Sequence, residues 1–474
     1  MAEFMIILLV LSVFLILLSG YPVAFAYGGA ALFFYFIGLM YMPDIFDATA
    51  MNLFDNNLVG LISRRDMLIA VPLFVFMGVM LERSKVAENL LETMGLLFGP
   101  LRGGLGISVL LVGMLLAAST GIVGATVVTM GLLSLPTMLK RNYDPKIAAG
   151  TICASGTLGQ IIPPSIVLIL LGDQIASEYQ NAQSSMNNFS PDTVSVGDLF
   201  AGAVIPGLIL VGLYLVYLIA VAYLKPDSMP AIPKEERTLD RQQLLLKTMT
   251  ALVPPVLLIV LVLGAIFVGA AAAYEAASIG AVGAIGLAAV NKKLDWKILR
   301  EVMRSTVRIT SMVFLIFIGA MMFTATFKGF GGNEIVEGLL VDLPGGVFGA
   351  MFIIMLIMFL LGFILDFIEI SLVIVPIVAP IIFMFGFDAD TGIQDPSQII
   401  HPVWFGVMIA INLQTSFLTP PFGFSLFYLR GVAPPEITTM DIYKGVVPFI
   451  GIQLFTLVLL ALWPELATWL ADKV

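Results

Sequence analysis

The sequence predicts an all-α polytopic membrane protein made of two inverted-topology repeats, each holding a re-entrant hairpin and a helix broken by Pro-Pro. Three observations carry this. The chain of 474 residues is 59% hydrophobic and only 12% charged, too few charges to cover a soluble surface. Apolar stretches of about 17–25 residues, the length that crosses a bilayer, recur from end to end. Two Pro-Pro pairs, Pro163-Pro164 and Pro420-Pro421, fall inside such stretches.

In chain order, Phe4–Leu18 and Tyr21–Met40 read as spans, the first without the basic flank and small-residue site of a signal peptide. A polar interlude, Asp44–Asp66, precedes the span Met67–Leu81, and Arg83–Leu97 reads as an amphipathic segment along the membrane. Gly103–Leu116 leads into Ser119-Thr-Gly-Ile-Val-Gly-Ala-Thr126, small and hydroxylated enough for the tip of a re-entrant hairpin over about 115–138. The first repeat covers 103–224, with its broken helix over 147–171.

Charge sets the orientation. Lys140, Arg141 and Lys146 are followed by a stretch without Lys or Arg up to Leu224, in which Asp173, Glu178, Asp192 and Asp198 occur. The positive-inside rule puts 140–146 in the cytoplasm and the loop 173–198 outside. The basic loops 225–247 and 291–308 are again cytoplasmic, flanking a central scaffold pair, Ala251–Val268 and Ala277–Val290. Gly345–Leu361 reads as a span, 362–385 as the second hairpin, and the loop 387–400, with Asp388, Asp390 and Asp395 but no Lys or Arg, as external. The broken helix 402–429 closes the second repeat (310–431), and the last span lies within 440–468.

The breaks are where chemistry is expected. Proline donates no backbone hydrogen bond and pushes its predecessor out of helical geometry. Carbonyls near 416–419 are therefore expected to lose their helical partners, which a bilayer tolerates only beside protein, an ion or water. Two such breaks in matching places point to a transporter binding site. Aligning the Pro-Pro pairs sets Ser416 beside Gly159 and Thr419 beside Ile162; aligning the hairpins by Pro136 and Pro380 sets Asp366 beside Thr120–Ile122. The oxygen-rich set Ser119, Thr120, Gly121, Gly156, Thr157, Asp366, Asn412, Thr415, Ser416 and Thr419 suits Na⁺, a hard cation. Half-helix N-termini suit an anionic substrate, which places Gly159, Pro163, Pro164, Ser165, Glu369, Pro420 and Pro421 at its site. Asp366 and Glu369 are intramembrane carboxyls, costly and functional by default. Asp366-Phe-Ile-Glu369 also has the look of an acidic metal-diphosphate motif, but such an enzyme needs a second acidic cluster and none is present. One cysteine, Cys153, expected to pack as a small apolar group, excludes internal disulfides, and one histidine, His401, excludes a multi-histidine metal site.

Ser119–Met138, Gly156–Ser165, Gly362–Pro380 and Asn412–Gly423 resemble the large membrane subunit (DctM-like permease) of tripartite ATP-independent periplasmic (TRAP) transporters. The chain departs from that pattern in having fewer hydroxyls around Gly121 and Ser416 where glycine is usual. The resemblance implies the elevator-type ion-transporter superfamily fold, Na⁺ as coupling ion, and location in the bacterial inner membrane. It also implies a small four-helix membrane subunit and a periplasmic substrate-binding protein as partners, with a small carboxylate as substrate and no role for nucleic acid. The alternative is a stand-alone Na⁺- or H⁺-coupled carrier of the same superfamily.

Overall fold

A computed structural model describes residues 1–63, 65–84, 86–188, 192–233, 241–388 and 393–474. The chain is helical nearly throughout. It begins with α1 (Ala2–Leu18), α2 (Val23–Tyr41), α3 (Met51–Ser63), α4 (Arg65–Arg83) and α5 (Val86–Phe98). The first repeat follows as α6 (Gly104–Thr120), α7 (Val123–Lys140), α8 (Pro145–Thr157), α9 (Ile166–Ser185) and α10 (Val196–Leu224). Then come α11 (Arg241–Phe267), α12 (Ala273–Val290), α13 (Trp296–Gly329) and the short α14 (Gly332–Val341). The second repeat is α15 (Gly346–Leu361), α16 (Phe367–Glu369), a π turn over Ile370–Ile374, α17 (Val375–Phe383), α18 (Pro402–Leu418) and α19 (Phe424–Val432). The chain ends with α20 (Thr439–Leu462) and α21 (Glu465–Thr468).

Helix starts follow local chemistry. Asp144 and His401 cap α8 and α18, each with proline at the first helical position, where no N–H is needed. Ser195 and Asp198 bond reciprocally at the start of α10, as do Thr438 and Asp441 at α20. Among the described residues, eight helices are long and apolar enough to cross a membrane. Their outward faces are apolar, for instance Leu257 and Leu261 on α11 and Val216 and Ile219 on α10. That is the pattern of a lipid-facing surface.

Two differences from the sequence reading concern lengths. Each hairpin has two long arms, α6 with α7 and α15 with α16–α17, turning at Gly121-Ile122 and at 362–366. The apolar runs taken as a lead-in (103–116) and a separate span (345–361) are first arms, of 17 and 16 residues. A run of that length reads the same whether it crosses the bilayer or turns back. Likewise the polar interlude 44–66 contains α3. Asp390 and most of the loop's tip lie outside the described residues.

Hydrogen bonds group the ends of the elements. Gly103 and Asp144 N–H donate to the carbonyls of Met229 and Ser228, both at 2.9 Å, so the mouth of the first hairpin lies against the 225–233 segment. At the mouth of the second hairpin, Val347 N–H donates to Gln398 Oε1 at 2.8 Å. His401 there accepts from Val403 N–H through Nδ1 and has Nε2 3.5 Å from Asp472. Cys153 is buried, its sulfur 3.7 Å from the Ser425 carbonyl.

Candidate functional site

The first break runs from α8 through a 3₁₀ turn, Leu158–Gln160, to Ser165, where α9 begins. The second runs from Thr419 to Gly423, between α18 and α19. Both Pro-Pro bonds are cis. In each break a serine hydroxyl reaches back to a carbonyl at the helix end. Ser165 Oγ donates to Gln160 O at 3.0 Å, and Ser425 Oγ to Phe417 O at 2.7 Å. Gln160 and Phe417 are equivalent positions, 257 apart like the two proline pairs.

Of the carbonyls expected to be free, those of Ser416, Phe417 and Thr419 are thus paired. Ser416 O accepts from Thr419 N–H at 3.2 Å, Thr419 O from Gly423 N–H at 3.0 Å, and Thr415 O from Thr419 Oγ1 at 2.7 Å. Proline removed donors, and nearby hydroxyls and a tight turn replaced them. Further lone pairs remain. Thr157, Thr415 and Ser416 also donate their protons to preceding carbonyls (Ala154, Ile411 and Leu413, 2.8–2.9 Å). An oxygen whose proton is spent on a carbonyl can offer only lone pairs to anything else, the property a cation ligand needs.

The hairpin tips pack onto the broken helices. Gly362 lies against the Ser416 side chain with no room for a Cβ, and a Cβ on Gly159 would stand 2.9 Å from Ala117 O. Gly121 has φ +61 and sits beside the first N–H of α9. Gly156 packs on Val127. Asn412 Nδ2 donates to Met355 O at 2.8 Å, tying α18 to α15. The side chains of Ser119 and Thr120 lie outside the described residues.

Asp366 caps the returning arm. Its Oδ1 accepts from Phe367 N–H at 2.7 Å, while Glu369 Oε2 accepts from Asp366 N–H at 3.1 Å. Glu369 is buried and Asp366 half-buried. The residue in contact with Ser416 is Gly362, and Phe367 meets the break, its ring 6.1 Å from that of Phe417. A π turn follows at once, a geometry frequent at functional sites. The two substrate-side segments differ in exposure: Gly159, Pro163, Pro164 and Ser165 are buried, whereas Pro421 is exposed, Pro420 half-buried, and Tyr443 Oη donates to Pro421 O at 3.0 Å.

Sequence reasoning missed Ser425, Gln160 and Gln414. All three are fully buried. Gln414 Nε2 donates to Thr157 Oγ1 at 3.4 Å, and Gln414 Oε1 and both amide atoms of Gln160 have no protein partner. A polar side chain within an apolar run was the available signal.

Two hairpins clasping two interrupted helices inside a helical membrane domain define a polytopic membrane transporter. Residues 10–466 match the family model described as the tripartite ATP-independent periplasmic transporter, DctM component, and the chain belongs to that family. It is 27% identical to the C4-dicarboxylate TRAP transporter large permease protein DctM of Pseudomonas aeruginosa, over 90% of each chain. It is 28% identical to that of Rhodobacter capsulatus, over 96% of this chain and 92% of the other. Among solved structures, the YdaH transporter of Alcanivorax borkumensis shares the fold, with a TM-score of 0.60, 14% identity and 90% coverage of both chains. The protein is a multi-pass protein of the bacterial inner membrane.

Proposed function

We propose that the chain is the large transmembrane subunit of a Na⁺-coupled importer of a small organic acid. A periplasmic binding protein hands over the substrate, and a small four-helix membrane subunit braces the scaffold helices. One observation carries the sodium reading: the hydroxyls of Thr157, Thr415, Ser416 and Thr419 all spend their protons on backbone carbonyls. Two half-sites follow, one per repeat, each between a hairpin tip and a break. Asp366 contributes charge to the second. The substrate carboxylate sits against the N-terminal N–H groups of α9 and α19, where a positive helix end favours an anion. Relatives support an acid without naming one, since they are described for C4-dicarboxylate, sialic acid and ectoine. The second hairpin packs on α9, α18 and α13, which suits an elevator in which hairpins and broken helices slide as one body along α2, α4 and α13.

The test is uptake into proteoliposomes holding both membrane subunits, with the cognate periplasmic binding protein and a panel of radiolabelled carboxylates. Uptake requires an inward Na⁺ gradient and the binding protein. Full uptake with Na⁺ replaced by choline, under a proton gradient alone, overturns the sodium reading; equal uptake without the binding protein favours a stand-alone carrier.

A further inference from the structure

The bond between Gln414 and Thr157 joins residues 257 apart, the same separation as the two proline pairs. They are therefore equivalent positions of the two repeats, meeting where the broken helices cross. Two residues on from each stands the residue that a hairpin tip touches. Gly159, after Thr157, meets Ala117 of the first hairpin, and Ser416, after Gln414, meets Gly362 of the second. Two packing contacts and one hydrogen bond are thus joined by two-residue steps along the broken helices: Ala117–Gly159, Thr157–Gln414 and Ser416–Gly362. The side chains of Thr157, Gln414 and Ser416 in the middle of this line are all fully buried.

We infer that Gln414 is a positioning residue that couples the two half-sites, so that filling one favours filling the other. This rests on the sodium reading above. Filling the first half-site fixes Thr157, whose hydroxyl then holds the Gln414 amide and with it the turn bearing Thr415 and Ser416. Such a link carries coupling only if both ends respond to the same bond. A second feature supports a junction with two arrangements. Gln160 stands three residues after Thr157 in a 3₁₀ turn, where side chains at that spacing eclipse. Its amide is unpartnered, as is Gln414 Oε1, so a second pairing of Gln414 is available within one turn. Thr157 keeps its own bond to Ala154 O, so removing the Gln414 amide leaves no buried donor on Thr157 unpaired.

The experiment is Na⁺ activation of uptake by the full transporter, comparing the unmutated protein with Gln414→Leu and Gln414→Met. Both replacements keep bulk and remove the amide, so the test survives if one of them fails to fold. The unmutated protein is expected to respond sigmoidally, and both variants with a Hill slope of about 1 and a several-fold higher half-saturation. In a Thr157→Val background the Gln414 substitution changes the slope no further. Na⁺-dependent uptake with the same slope in Gln414→Leu or Gln414→Met as in the unmutated protein, or no sigmoidicity in the latter, overturns this inference alone. Uptake independent of Na⁺ in the unmutated protein overturns the sodium reading and this inference together.

Discussion

Gly362 and Ser416 are in direct contact, the glycine leaving no space for a methyl group between hairpin tip and broken helix. Overpacking such a contact costs about 1–3 kcal/mol. Gly362→Ala is therefore expected to push the tip off α18 and to cut uptake severely. Ser416→Gly should restore part of it by making room. Uptake by the double variant no better than by Gly362→Ala alone would show that the contact is not what the methyl group disturbs.

Asp366→Asn separates charge from capping. Asparagine caps a helix about as well as aspartate, so the bond to Phe367 N–H and the hairpin survive. If the carboxylate helps to hold Na⁺, the half-saturating Na⁺ concentration rises by about tenfold or more, equivalent to ~1.4 kcal/mol. Expression and thermal stability stay close to those of the unmutated protein. An unchanged Na⁺ half-saturation reduces Asp366 to a cap.

Ser425→Ala deprives Phe417 O, in the last turn before the second break, of its donor from the first turn after it. An unpaired buried acceptor costs about 1–3 kcal/mol, so a lower melting temperature in detergent and weaker uptake are expected. Ser165→Ala should act alike through Gln160 O. Neither variant moving the melting temperature would mean that water or lipid headgroups satisfy these carbonyls instead.

Orientation is tested by labelling in a Cys153→Ala background. Positions 227 and 397 are both exposed, and the charge pattern predicts Asp227→Cys on the cytoplasmic side and Ser397→Cys on the external side. A membrane-impermeant maleimide added to intact cells labels the second and spares the first. Labelling of position 227 from outside would reject the inverted arrangement of the repeats.

What could be read from the chain alone was whatever depends on residue type and neighbours a few positions away. Membrane class, loop polarity and the two breaks are of this kind, because a Lys in a loop or a Pro-Pro pair in an apolar run acts through its own chemistry. Asp366 and Glu369 stood out for the same reason, as carboxyls in an apolar run. The tertiary structure decided what lies opposite. Whether 346–361 crosses or turns back depends on packing against α18, not on its composition. That Gly362 touches Ser416, that Ser425 closes the carbonyl of Phe417, and that Gln414 meets Thr157 are contacts over 8 to 257 residues. Proline removes a donor locally, but the group that takes its place is chosen by the fold, because a buried carbonyl pairs with whichever donor the packed chain brings within reach.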